Sequence, residues 1–262
     1  MHEILSALPP QSIVLDLGSG AGSFDGACLR GKVVRVDLER PANPSGSFVQ
    51  ADAAALPFPS ALFDAIIANH SLEHVGDLDG TLREIGRVIQ PGGALYIAVP
   101  DADTFADRFY RWLGEGGGHV NAFTNDRDLC AAIAAATGLP HAATRLLHSG
   151  YSFLNRKIHA MPRRAYLCGG GYEWTLRLAT HAFRLSDRWF HTRLSVYGWA
   201  CYFGSVAPID PAPRSNVCIR CGSGHAAAWL GALGRVKRFG LIRYYACPAC
   251  GARNLYTGDR PA

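Results

Sequence analysis

The stretch VLDLGSGAGSF at residues 14–24 constrains the fold more than any other part of the chain. An apolar run ends in a turn that carries glycine at positions 18, 20 and 22, a pattern that holds a ligand over the carboxyl end of a buried strand. A dinucleotide fingerprint needs glycine or alanine at a later third position, where this chain has Ser23. Asp16, two residues before the first glycine, would repel a pyrophosphate and suits a cationic or amino-bearing ligand.

The first 100 residues alternate short apolar runs with segments of helical periodicity, which predicts an α/β, doubly wound, Rossmann-like sheet. The predicted strands are 13–17, 33–37, 47–51, 63–68 and 94–99, with a late strand over 195–206. Helices are predicted over 77–89, stopped by PGG, and over 125–137, ended by Gly138.

Four linked motifs resemble the class I S-adenosylmethionine-dependent methyltransferases, in particular the type 11 group. They are LDLGSGAG, VVRVD, QADAAALPF and the pair FDAIIANHSLEHV and EIGRVIQPGGALYIAVP, in order along about residues 12–100. The resemblance implies the seven-stranded sheet of that family, S-adenosylmethionine as cofactor, and methyl transfer as the reaction.

The resemblance also implies roles for single residues. Asp37 would bind both ribose hydroxyls, Asp52 would contact the adenine amine, and Asn69 would lie beside the sulfonium. Asp16 remains open as a helix cap, and Asp52 as a turn cap. The full predicted cofactor-binding set is Asp16, Gly18, Ser19, Gly20, Gly22, Asp37, Leu38, Asp52, Ala53 and Asn69.

Methyl transfer from a sulfonium is an in-line displacement, so positioning supplies much of the rate and a base is needed only for an acceptor that loses a proton early. The candidates for that base are His70 and His74, which follow the fourth strand, and His119 in a glycine-rich segment. Each is also consistent with a polar residue at the mouth of the site.

Cys218, Cys221, Cys247 and Cys250 form two C-x-x-C pairs, each followed by glycine and separated by 25 residues. Four thiolates in this spacing predict a closed structural zinc site, and the segment resembles a zinc ribbon with hairpin strands such as WLGAL and LIRYYA. A redox or iron–sulfur site is the alternative. Contact with nucleic acid, contact with protein, and a purely structural role all remain open for the ribbon.

Between the two modules, residues 151–193 are interpreted as an insertion that covers the cofactor as a lid. Its segment 173–190 has helical periodicity, with a stripe of arginines beside an apolar arc. The apolar arc is expected to pack on the sheet and the arginines to lie in water; the alternative is an anionic membrane or a phosphate-bearing substrate. The predicted domains are a methyltransferase domain (1–207), a linker (208–216) and a zinc ribbon (217–262).

The net charge of +5 is unevenly distributed, because residues 151–262 carry 16 Lys and Arg against four acids. This basic half suggests an anionic partner, which would be nucleic acid, an acidic membrane surface or a phosphorylated small molecule. Solubility and internal charge balance are the alternative explanation. With neither a signal peptide nor an apolar run long enough to span a membrane, a soluble, cytoplasmic protein is expected.

The expected reaction is methyl transfer to oxygen or nitrogen of a small-molecule, lipid or sugar-type acceptor. The alternatives are an rRNA or tRNA methyltransferase that holds nucleic acid with the ribbon and insertion, and a non-catalytic cofactor-binding scaffold. The fourth strand ends in ANHS and lacks an Asn-Pro-Pro-Tyr motif, which argues against methylation of base amines.

Overall fold

A computed structural model describes residues 1–26, 29–44, 46–114, 118–158 and 171–258. The chain divides into two compact units. The first, called here the sheet unit, comprises Met1–Asp101, Gly118–Arg145 and Trp199–Pro211. The second, called the cysteine unit, comprises Ala102–Gly117, Leu146–Gly198 and Ala212–Ala262. Part of the predicted insertion, residues 159–170, lies outside the described residues.

The described residues contain six α-helices, and none of them is long and apolar enough to cross a membrane. The helices are α1 (His2–Ala7), α2 (Leu78–Val88), α3 (Phe105–Leu113), α4 (Asp126–Thr137), α5 (Glu173–Phe190) and α6 (Ala227–Ala232). The strands are β1 (Ile13–Leu17), β2 (Lys32–Asp37), β3 (Ser47–Gln50), β4 (Phe63–Asn69), β5 (Ile89–Pro100), β6 (His141–His148), β7 (Val196–Gly204), β8 (Asn216–Val217), β9 (Gly224–His225), β10 (Val236–Phe239), β11 (Ile242–Ala246) and β12 (Arg253–Leu255).

Seven strands form one sheet in the order β3-β2-β1-β4-β5-β7-β6, which confirms the predicted seven-stranded, Rossmann-like fold. Strands β1 to β5 pair in parallel. The order reverses between β1 and β4, the switch point where doubly wound sheets bind ligands. Apolar side chains on β1 and β4 are almost fully buried, because strands in the middle of a parallel sheet are covered on both faces.

Local signals set the ends of the two long helices of the sheet unit. At the start of α2, the Asp77 carboxylate accepts the Gly80 N–H at 2.8 Å. Helix α4 begins after Asn125, which caps it, and ends at Gly138 with φ +69°, where the sequence predicted its end. The helix predicted over 77–89 spans Leu78–Val88, and the PGG that was expected to stop it lies within β5, which already begins at Ile89.

In the cysteine unit, α5 spans the predicted residues 173–190, but its orientation differs from the prediction. Five residues of the apolar arc that was expected to pack on the sheet are exposed: Trp174, Leu178, Leu185, Trp189 and Phe190. Leu176 and Phe183, from the same arc, pack in a cluster with Tyr151, Leu154 and Ile219. Arg184, expected in water, is 7% exposed and donates from Nη2 to the Val217 carbonyl at 3.0 Å.

Two small sheets, β8-β9 and β10-β11-β12, complete the cysteine unit. The segment LIRYYA contains β11, as predicted, whereas WLGAL was wrongly predicted as a strand and lies largely in α6. Helix α3 and strand β6 were missed. The proline-rich segment 208–215 forms neither helix nor strand.

Candidate active site and cysteine cluster

The glycine turn after β1 has a conformation that side chains disfavour. Gly18, Gly20 and Gly22 have φ values of +65°, +49° and +120°. A Cβ on Gly18 would lie 2.3 Å from the Ser71 Cβ, so the turn after β1 and the turn after β4 are in close contact. The turn therefore presents backbone N–H groups and little side-chain bulk at the switch point of the sheet.

Asp16, the last residue but one of β1, is fully buried, and its carboxylate organises this turn. Its Oδ2 accepts the Ser23 N–H at 3.0 Å and lies 3.4 Å from the Arg35 Nε. Burial raises the pKa of Asp16, while Ser23 and Arg35 act in the opposite direction. Its Oδ1 has no hydrogen-bond partner among the described residues, so one buried acceptor is available.

Asp37 ends β2 and faces the same turn. Its Oδ2 accepts the Gly20 N–H at 2.7 Å, and its Oδ1 accepts the Glu39 N–H at 3.2 Å. An ionised carboxylate has about four acceptor sites, so both oxygens can take a further hydrogen bond. The adjacent Leu38 is 66% exposed, which leaves an apolar side chain in the open beside that carboxylate.

The other predicted cofactor residues lie at the ends of the neighbouring strands. Asp52 and Ala53 follow β3, and the exposed Asp52 carboxylate accepts the Ala54 N–H at 2.9 Å. Asn69 ends β4 and is half-buried. Because β1 to β4 run parallel, their carboxyl ends share one edge of the sheet, and all the predicted cofactor residues lie at this edge.

Glu73, His74 and His119 bring one carboxylate oxygen and two ring nitrogens within 4.8 Å of one another. The His74 Nδ1 donates to the Gly118 carbonyl at 3.0 Å, because a carbonyl oxygen can only accept. In the neutral ring, the His74 Nε2 therefore carries the lone pair. His119 packs edge-on against His74, with 5.0 Å between the ring centroids. This group can accept a proton or ligate a divalent cation.

Backbone contacts hold that arrangement together. The Glu73 carbonyl accepts the N–H groups of Val120 and Asn121, at 2.8 and 3.1 Å. The Asn121 side-chain amide donates to the carbonyls of Leu72 and Val75, at 2.9 and 2.8 Å. Residues 118–121 are thus fastened to residues 72–75, which accounts for the proximity of His119 and His74.

His70 lies at the same edge in a left-handed conformation, with φ +56°. Its Nδ1 is 3.5 Å from the Glu73 Oε1, and Glu73 itself is 1% exposed. The Oε2 of Glu73 has no hydrogen-bond partner among the described residues. The structure therefore brings the three predicted histidines into one neighbourhood around a buried carboxylate that the sequence reading did not select.

In the cysteine unit, the four paired cysteines converge as their spacing predicts. Their Sγ atoms all lie within 4.8 Å of one another, with Cys218 3.5 Å from Cys250 and Cys221 3.7 Å from Cys247. In each pair, the glycine after the second cysteine has φ +72° and donates its N–H to the carbonyl of the first. The two turns are thus alike, and each directs both sulfurs to one point.

Three polar residues at these sites escaped the sequence reading. Arg35 balances Asp16, Asn121 fastens the His119 segment, and the buried Asn254 amide donates towards the Cys218 Sγ at 3.6 Å. Their roles depend on partners far away in the sequence. Only Arg35 could have been noticed in the sequence, as a charged residue among the valines of β2.

Comparison with known proteins gives consistent results for the sheet unit. Residues 15–97 match the family model described as Methyltransferase domain. The malonyl-[acyl-carrier protein] O-methyltransferase of Methylococcus capsulatus is 32% identical over 136 residues, which cover 46% of this chain and 50% of that protein. The ubiquinone/menaquinone biosynthesis C-methyltransferase UbiE of Pasteurella multocida is 35% identical over 102 residues, or 32% and 38% of the two chains. The chain thus spans half or less of these curated relatives.

Solved structures agree on the fold. A SAM-dependent methyltransferase from Archaeoglobus fulgidus superposes with a TM-score of 0.53 at 14% identity, covering 77% of this chain and 88% of the other. One from Thermotoga maritima gives 0.51 at 20% identity, covering 78% and 86%. The family model and the named relatives show that residues 15–97 resemble a methyltransferase domain.

Proposed function

We propose that this chain transfers the methyl group of S-adenosylmethionine to an oxygen or nitrogen of a small-molecule, lipid or sugar-type acceptor. The observation that carries the proposal is the arrangement at the switch point of the sheet. A bare glycine turn lies against Ser71 on one side, and its Gly20 N–H is bonded to Asp37 on the other. A pyrophosphate would meet two carboxylates there, whereas a sulfonium nucleoside with an amino-acid tail finds acceptors for its cationic groups.

The cofactor residues follow from this placement. Asp37 offers two oxygens to the vicinal ribose hydroxyls, and Leu38 offers apolar surface to the adenine. Asp52 and Ala53, at the end of the next strand, contact the polar edge of the adenine. Asn69 lies beside the sulfonium. The turn of Gly18, Ser19, Gly20 and Gly22 accommodates the tail, and the unpartnered Oδ1 of Asp16 is the acceptor for its amine. The bound cofactor supplies the electrophilic methyl group.

His74 is the proposed proton acceptor. Its Nδ1–H is fixed on the Gly118 carbonyl, which leaves Nε2 free to take the acceptor proton. His119 packs against that ring, and His70 contacts Glu73. The latter two are positioning residues in this proposal. The buried Glu73 carboxylate stabilises positive charge that develops on either neighbouring imidazole.

The two named relatives methylate oxygen in one case and carbon in the other, so their names do not fix the acceptor atom. A basic ring nitrogen favours an acceptor that must lose a proton, such as a hydroxyl or an ammonium. One relative is named for quinone biosynthesis, which supports including lipid-type acceptors in the proposed class.

Calorimetric titration tests the cofactor assignment. We expect wild-type protein to bind S-adenosylmethionine and S-adenosylhomocysteine but not NAD⁺. Asp37→Ala should weaken binding about 30- to 150-fold, through the loss of two hydrogen bonds of about 1–1.5 kcal/mol each. Asp79→Ala, an exposed acid on α2, is the matched control and should bind normally. Tight binding of NAD⁺ with none of the sulfonium nucleoside would refute the proposal.

Incubation with methyl-labelled cofactor and cell extract then tests the acceptor class. Label in the small-molecule or organic fraction supports the proposal. Label in RNA, with binding that weakens steeply as salt rises, would replace it with an RNA methyltransferase. Cofactor binding without label in any fraction would indicate the scaffold instead.

We further propose that Cys218, Cys221, Cys247 and Cys250 hold a structural zinc ion as a ribbon. Tetrahedral zinc with Zn–S bonds of about 2.3 Å requires sulfurs about 3.8 Å apart. The observed separations of 3.5 and 3.7 Å fit that requirement. Four sulfurs leave no open position for a substrate, so the role of the ion would be structural.

A further inference from the structure

The hairpin of β10 and β11 carries the most exposed large hydrophobic side chain among the described residues. At its tip, Phe239 is 79% exposed, Leu241 is 93% exposed and Ile242 is 55% exposed. Single exposed apolar residues are common, but three together at the end of a projecting element mark an interaction surface. The cofactor site does not account for them, since they belong to the cysteine unit.

The tip is a defined turn, which makes the exposure a property of the fold. Phe239 and Ile242 are paired across the strands, so the loop consists of Gly240 and Leu241 alone. Gly240 has φ +58°, the positive value that a two-residue hairpin loop requires at its first position. Leu241 is therefore held at the outermost point, with an aromatic ring and a branched side chain beside it.

Cations surround this apolar tip. Lys237, Arg238 and Arg243 lie on the two strands, and Arg235 precedes them; all four are exposed. Arg238 and Arg243 stand directly opposite each other in the ladder, an arrangement that like charges destabilise. An anion at the hairpin would relieve that repulsion. The cysteine unit as a whole carries 18 Lys and Arg against six acids.

We propose that this hairpin docks on an anionic lipid bilayer. The tip residues Phe239, Leu241 and Ile242 enter the boundary between headgroups and acyl chains, and the four cations bind the lipid phosphates. Burial of the apolar tip and attraction to anionic lipids act together, as they do for other interfacial elements. The inference goes beyond the proposed methyl transfer and does not depend on it.

The chemistry of the tip distinguishes this partner from others. RNA-binding surfaces present aromatic rings for stacking and polar groups for base edges. Phe239 is the one aromatic ring of the tip; Leu241 at the outermost point and Ile242 offer neither, and gain only by leaving water. A second copy of the chain would bring the same cationic hairpin, and the like charges would repel.

Helix α5 exposes a second apolar surface in the same unit. Trp174, Leu178, Leu185 and Trp189 form a stripe at helical spacing, with the exposed Arg188 at its flank. Tryptophan is typical of membrane–water interfaces. The contribution of this stripe is measured separately below, because the proposal rests on the hairpin.

The test is co-sedimentation of the full-length, zinc-loaded protein with vesicles of phosphatidylcholine alone or mixed with phosphatidylglycerol. We expect binding to the anionic vesicles only. The triple variant F239S/L241S/I242S should lower the partition coefficient about tenfold or more. R238Q/R243Q should lower it on anionic vesicles and flatten its dependence on salt. Ile158→Ser, an exposed aliphatic in the same unit, is the matched control and should bind as wild type.

Zinc content and circular dichroism verify that each variant is folded. We expect the variants to fold because the altered side chains are highly exposed. A further variant, L178S/L185S, measures the contribution of α5, and an equal or larger loss there than at the tip would overturn the assignment to the hairpin. Three other results would also overturn it. The first is that the wild-type protein stays in the supernatant with every vesicle. The second is that the protein binds labelled poly(U) but not vesicles, and that the tip variant abolishes this binding. The third is that the protein is a dimer that the tip variant dissociates.

Discussion

The two units of this chain are stabilised in different ways. The sheet unit buries aliphatic strands, and most side chains of β1, β4 and β5 are inaccessible to solvent. The cysteine unit has smaller apolar clusters, one of which includes Cys218 and Cys247 themselves. Its interior also contains polar groups that are fully engaged, such as Asn155, which donates to the Ile219 carbonyl, and Asp187, which accepts from Ser195.

Because of this difference, we expect the two units to lose stability through different kinds of substitution. A core of parallel strands loses stability in increments as single side chains change. A small unit built around four sulfurs and buried hydrogen bonds depends on a few groups whose loss is not compensated. The charges differ as well, since acids outnumber cations in the sheet unit and cations outnumber acids in the cysteine unit.

Removal of the metal should have the largest effect, and it should destabilise the cysteine unit while the sheet unit stays folded. Structural zinc contributes about 10–16 kcal/mol to folding in small domains, more than such a unit can lose. We expect a strong chelator, or Cys218→Ser, to abolish the cooperative transition of the cysteine unit in scanning calorimetry while cofactor binding persists. Cys130→Ser, at a buried cysteine of the sheet unit, is the matched control and should retain zinc. An unchanged thermogram after complete chelation would show that the sulfurs hold no structural ion.

Gly18→Ala should be the most damaging small substitution in the sheet unit. The added methyl would lie 2.3 Å from the Ser71 Cβ at a residue with φ +65°. We expect a loss of about 2–4 kcal/mol in the free energy of unfolding and loss of cofactor binding in calorimetry. Gly76→Ala has open space around it and is the control. If the two substitutions had equal effects, the close contact between Gly18 and Ser71 would not explain the loss of stability.

His74→Asn separates the two roles of that ring. The asparagine amide can still donate to the Gly118 carbonyl but provides no basic nitrogen. We expect kcat to fall about 100-fold while the cofactor Kd stays the same. Wild-type kcat in this variant would mean that the acceptor needs no base, or that another group supplies it.

Glu173 offers the smallest and most specific test of the cysteine unit. Its carboxylate bonds to the Arg220 Nε at 2.6 Å and to the Lys157 Nζ at 3.3 Å, and these contacts lower its pKa to about 2 from 4.5. Because the folded-state pKa is depressed, the stabilisation is present above about pH 4.5 and is lost as the pH falls towards 2.

Glu173→Gln should therefore cost about 1–2 kcal/mol at neutral pH, and the difference from wild type should shrink in acid. Urea titrations of both proteins across that range measure it, with the exposed Asp103→Asn as control. A difference that is constant with pH would assign the effect to packing.

Most of the sheet was predictable because its signals are local. Apolar runs gave the strands β1 to β5, and the 3.6-residue period gave α5 with both ends correct. That period could not tell which apolar face meets the core: Leu176 is buried and Trp174, two residues earlier, is exposed. Strand β6 was missed because HAATRLLH lacks a clear alternation, and the six-residue α6 is too short for its period to show.

For the candidate site, the sequence predicted which residues collect at the carboxyl edge but not how they are held. Gly18 and Asp37 could be selected from their place after a strand. The fastening of His119 by Asn121 depends on a contact 49 residues away in the chain. Likewise, Arg35 beside Asp16 could not be read from a motif that covers only the aspartate.

The close contact between Gly18 and Ser71 has a consequence for anyone who redesigns this protein. Position 71 stands between the glycine turn that would bind the nucleoside and the histidines that would face the methyl acceptor. A bulkier residue there would displace the glycine turn and would also change the positions of the histidines. Attempts to retune which molecule is modified would do better to leave that serine small and to vary its outward neighbours.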